Sequence, residues 1–98
     1  MKYVYLLKIR QIYDRIWGDT DIVFQNTASA WIYLQDLWKY FETNYSDEEF
    51  ECIPPVPTLT EIRNGLKNSN KYSILEIGFV NETDPVSLYI TIEQMPIY

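Results

Sequence analysis

FQNTASAWIYLQDLWKYF, residues 24–41, carries an apolar spacing that belongs to a helix. Ala30, Leu34, Leu37 and Phe41 recur at intervals of four, three and four, with Trp31 and Trp38 beside them, while Gln35, Asp36, Lys39 and Glu42 fall opposite. Two of the chain's three tryptophans sit on this wide apolar face, so a sheet must offer a surface to receive it. Asn26 or Thr27 caps the start, because either side chain can accept from a free N–H of the first turn. Thr43-Asn44 breaks the pattern and closes the helix near residues 42–44. Tyr33 and Tyr40, two turns apart, lie at the margin of the apolar face, where the rings can pad the core and the hydroxyls reach water.

The residues ahead of the helix read as strands. Tyr3, Tyr5, Leu7 and Ile9 alternate with Val4, Leu6, Lys8 and Arg10, and the apolar character of both faces places this long strand inside a sheet. DRIWGDTD, residues 14–21, has turn chemistry, which leaves Ile22-Val23-Phe24 as a short second strand and puts Trp17 on a loop. A tryptophan there either folds back over the core or serves as a binding anchor.

After the helix, YSDEEFE, residues 45–51, is the densest charge run. Cys52-Ile53-Pro54-Pro55-Val56-Pro57 follows as a stiff connector, since each proline fixes its own φ and drives the preceding residue out of the helical region. Thr58-Leu59-Thr60-Glu61 is a capping box, with Thr58 accepting from the backbone of Glu61 and the Glu61 carboxylate reaching back to the backbone of Thr58. A short helix runs from there to about Lys67, weakened by Gly65 and held by packing of Leu59, Ile62 and Leu66. Two alternating runs around residues 72–80 and 86–93 then form an antiparallel hairpin about a turn at 81–85. Gly78 suggests a bulge or a close neighbour, and Pro96 ends the last strand. The expected fold is α+β: a mainly antiparallel four-stranded sheet, covered on one face by one long and one short helix in the order ββααββ.

Ninety-eight residues suit a single domain, residues 1–98, and 47% apolar with 16% aromatic residues can fill its core. The net charge of −6 and a pI near 4.4 disfavour direct contact with nucleic acid or an anionic membrane and suit a partner protein with a basic groove. Charge is segregated along the chain: residues 16–61 hold nine acids against Lys39, and residues 1–15 hold four bases against Asp14. A fold that keeps this segregation presents an anionic surface able to imitate nucleic-acid phosphates. The lone Cys52 excludes an internal disulfide and reads as a small apolar residue in a reducing compartment. No signal segment or membrane span is legible at the start, so a cytoplasmic location is expected. Without histidine there is no imidazole base, no Ser-His or Cys-His pair and no His-ligated zinc. No glycine-rich phosphate loop occurs, and no enzyme activity, metal or cofactor is expected.

The layout of YVYLLKI, a turn, VFQNTASAWIYLQDL and a C-terminal hairpin resembles the small proteins encoded by bacteriophages and mobile elements, among them the acidic, compact anti-CRISPR proteins. Those proteins share no sequence signature, so no functional residue carries over. The resemblance implies an inhibitor acting in the host cytoplasm by occupying a surface, such as the nucleic-acid or PAM-reading groove of a CRISPR effector. Candidate contact residues are Asp36, Glu42, Asp47, Glu48, Glu49 and Glu51, with Trp17, Tyr33, Tyr40 and Tyr45 as anchors. The alternative is a structural or assembly protein that pairs with itself as a homodimer.

Overall fold

A computed structural model describes residues 2–13, 16–44, 51, 53–79 and 86–97. The chain runs β1 (Lys2–Tyr13), β2 (Ile16–Phe24), α1 (Thr27–Asn44), α2 (Leu59–Asn68), β3 (Lys71–Phe79) and β4 (Val86–Ile97), the expected ββααββ order. The four strands form one antiparallel sheet in the order β2-β1-β4-β3. β1 is central, as its two apolar faces require, and it joins the two hairpins by pairing with β4 from Lys2↔Ile97 to Ile12↔Ser87.

Both helices lie on one face of the sheet. That face carries Leu7 and Ile9 of β1, Leu75 of β3 and Leu88, Ile90 and Ile92 of β4, all buried, against Ala30, Leu34, Trp38 and Phe41 of α1 and Ile62 and Leu66 of α2. Full burial of each large aliphatic side chain contributes about 1.5–3 kcal/mol, so this layer supplies the main driving force for folding.

Three details depart from the sequence reading. β2 is nine residues long, and Trp17 lies within it opposite Ile12, so its backbone belongs to a strand and not to a loop. Ladder pairing with β1 overrides the turn preference of Gly18-Asp19. The sheet irregularity falls between Ser73 and Leu75, while Gly78 pairs in regular register with Ser87. The extra residue there switches the side-chain parity of β3, which lets Tyr72 and Leu75, opposite Ile92 and Ile90, both face the helices. Pro96 does not end β4: it pairs with Tyr3, beyond the last β3 partner Glu93, where β4 has a neighbour on one side alone and tolerates a missing donor.

Asn26 is the cap of α1, accepting from Ser29 N–H at 2.8 Å, and Thr27 is instead buried at the helix start. Thr58 accepts from Glu61 N–H at 3.2 Å as expected, but its hydroxyl also donates to Glu61 Oε1 at 3.2 Å. The carboxylate therefore returns to the hydroxyl of Thr58 rather than to its backbone, a variation on the capping box. Gly65 has a packing reason: a Cβ there would lie 2.3 Å from Cδ2 of the Tyr72 ring, which rests on the helix at that point.

The tryptophans of α1 do more than face the sheet. Trp38 Nε1 donates to the carbonyl of Pro54 at 2.9 Å and Trp31 Nε1 to that of Pro57 at 3.1 Å. Seven helical residues rise about 10.5 Å, and three extended residues of a proline-rich segment cover about 9 Å. The two spacings match, so the connector runs antiparallel along α1 and is tied to it twice. Ile53 and Pro57 of the connector are buried.

Candidate functional site

Tyr33, Asp36 and Tyr40 come together on the outer flank of α1, around a shallow recess of about 330 Å³ floored by Leu37. Helical geometry explains the grouping, because residues three, four and seven apart share one side. Tyr33 is held by Phe24 at the end of β2, with ring centroids 5.7 Å apart, so the recess borders the β2 edge of the sheet. Tyr40 leans edge-on against buried Phe41 at 6.3 Å yet stays 56% exposed. Ile32, one turn before Asp36, is 57% exposed and extends the same band. It lies outside the four-three-four apolar series, and that displacement is the one signal in the sequence that marks it as a surface residue.

Among the other expected contact residues, Glu42 does not join this group. Glu42 is exposed about half a turn of helix away from Tyr33 and Tyr40, on the side where Trp31 and Trp38 meet the connector. Glu51 is exposed. Tyr45, Asp47, Glu48 and Glu49 lie outside the described residues, as do Cys52 and the turn at 81–85.

The linear segregation of charge is partly undone by the register of the sheet. Arg10 stands opposite Asp19 in the β1–β2 ladder and binds Asp21 Oδ1 through Nη1 at 2.7 Å, with Asp19 Oδ1 at 3.7 Å from Nε. Lys8 and Lys71 both reach Glu93 Oε1, at 3.1 and 3.6 Å. The hydrogen bond from Arg10 holds the Asp21 carboxyl below its ordinary range, and the same bond raises the Arg10 pKa. Asp19 and Asp21 thus share the charge of Arg10 on the sheet face opposite the helices. Asp36, Glu42 and Glu51 meet no cation among the described residues.

That opposite face has an apolar corner as well. Val4, Leu6, Val23, Met95 and Ile97 gather there through the pairs Leu6↔Val23, Val4↔Met95 and Lys2↔Ile97, with Val23, Met95 and Ile97 exposed. No group of three or more carboxylate or cysteine side chains that could hold a metal occurs among the described residues. No described helix is long and apolar enough to cross a membrane.

No protein-family model, curated protein or solved structure matches the chain. The geometry of its surfaces therefore carries the functional argument.

Proposed function

We propose that this chain is a small non-catalytic inhibitor that binds a basic surface of another protein through the outer flank of α1. The observation that carries the reading is the convergence of Tyr33, Asp36 and Tyr40 on one recess. Two partly exposed tyrosines give contact area at low side-chain entropy cost, and the carboxylate between them, which meets no cation among the described residues, selects a cationic partner. Tyr33 is already ordered by Phe24, so little freedom is lost there on binding.

The narrower form of the proposal is an anti-defence protein of the anti-CRISPR kind, covering a groove that otherwise meets DNA. The net charge of −6 supports it, and so does the acidic run at 47–51, one residue beyond which Cys52 leads into the tethered connector. Binding to such an effector weakens steeply with added salt and is lost on reversing Asp36 together with the 47–51 carboxylates. Binding that is insensitive to both would contradict the proposal.

A second reading, self-association as a structural or assembly protein, draws support from the apolar corner at Val4, Leu6, Val23, Met95 and Ile97. Light scattering across a range of concentrations separates the two, because a concentration-independent monomer counts against the homodimer.

A further inference from the structure

We propose that a second recess, between the start of β1 and the helices, binds a small phosphate-bearing molecule. The recess measures about 460 Å³ and is lined by Tyr3 and Tyr5 of β1, Thr27 of α1, Arg63 and Lys67 of α2, and Gln94 of β4. Its charge runs against that of the whole chain. In a protein with fourteen acids and eight bases, this recess has two cations and no carboxylate among its described lining residues.

Those cations are also spare. Lys8, Arg10 and Lys71 each meet a carboxylate, whereas Arg63 and Lys67 meet none among the described residues. Arg63 is nonetheless positioned: its Nε donates to Thr27 Oγ1 at 3.1 Å, which fixes the guanidinium plane and leaves its outer N–H groups for a ligand. Lys67 follows one turn later on the same side of α2, about 6 Å away at Cβ, so both cations can reach one tetrahedral anion. The Gln94 N–H donates to the Asn70 carbonyl at 2.7 Å, which ties the end of α2 to β4 and holds the rim together.

Ligand size follows from the same geometry. A free phosphate would leave most of the recess empty, and the two tyrosines, both on the helix-facing side of β1, offer ring surface for an attached planar or sugar body. The chemistry thus favours a phosphomonoester of about mononucleotide size. This inference does not depend on the inhibitor reading, which concerns the opposite side of α1.

The test is an amide NMR titration of the whole chain with adenosine 5′-monophosphate, inorganic phosphate and adenosine in parallel. The nucleotide should give saturable shifts at Thr27, Arg63, Asn70 and Gln94, inorganic phosphate weaker shifts at the same amides, and adenosine none. Arg63→Gln and Lys67→Gln, both at exposed positions on α2, should each weaken nucleotide binding roughly ten-fold, with Arg63→Lys retaining part of it. Binding of inorganic phosphate as tight as that of the nucleotide would overturn the monoester assignment. Absence of saturable shifts with both phosphate probes, equal binding of adenosine, or undiminished binding by a folded R63Q/K67Q double variant would overturn the site.

Discussion

The indole N–H of Trp38 donates to the carbonyl of Pro54 at 2.9 Å, and three residues further along the connector the carbonyl of Pro57 accepts the equivalent bond from Trp31 at 3.1 Å. The connector is thereby a fastened strap rather than a spacer between helices. Trp38→Phe keeps most of the ring packing against Phe41 and deletes the donor, and it should destabilise the fold by about 1–2 kcal/mol. Trp38→Ala also empties a buried site and should cost about 3–5 kcal/mol. Urea unfolding followed by far-UV circular dichroism reads both, and equal stability of Trp38→Phe and wild type would show that the bond to Pro54 does not fasten the connector.

Gly65 and Tyr72 form a second testable pair. Alanine is the better helix former by about 1 kcal/mol, yet its Cβ would press into the Tyr72 ring, so Gly65→Ala should destabilise by about 1–3 kcal/mol. In a Tyr72→Ala background the same change should become neutral or stabilising. A double-mutant cycle by chemical denaturation measures this reversal, and additive effects would show that the ring is not the obstacle.

Asp21 gives a pH dependence with a definite sign. Because Arg10 makes this carboxyl harder to protonate in the folded chain than in the unfolded one, the pair's contribution is complete above the ordinary carboxylate range. It disappears as the pH falls through Asp21's own lowered midpoint. A carboxyl-detected NMR titration should place Asp21 below the ordinary aspartate range, and Arg10→Gln should bring it back up. Both groups are exposed, so high salt should narrow the difference.

The elements that repeat were legible in the sequence. Period two in β1, β3 and β4, and the apolar face of α1, gave the strands, the helix and their order, because local patterning and the buried layer ask for the same residues. Pairing across the chain was not legible. The strap requires Trp31 and Trp38 to find Pro57 and Pro54, and although the seven-residue and three-residue spacings are visible, nothing local says that they meet. Asp19 and Asp21 looked like part of an acidic surface until the β1–β2 register set them beside Arg10. The full length of β2 was hidden for a related reason, since Gly18-Asp19 prefers a turn in isolation and yields to ladder pairing. Of the candidate site, Tyr33, Asp36 and Tyr40 followed from helical spacing alone, whereas the recess at Arg63 and Lys67 needs four elements, β1, α1, α2 and β4, to be brought together.

If the Tyr33–Asp36–Tyr40 flank occupies a DNA-binding surface, as proposed, the chain displaces duplex from it. Labelled duplex is bound to each of a panel of guide-loaded CRISPR effectors, and the chain is added in rising concentration, wild type beside Tyr33→Ala/Tyr40→Ala. Duplex should be released from at least one effector at near-stoichiometric chain, and that release should be lost in the variant while its circular dichroism stays that of the wild type. Duplex retained by every effector, or released equally well by the variant, would contradict it.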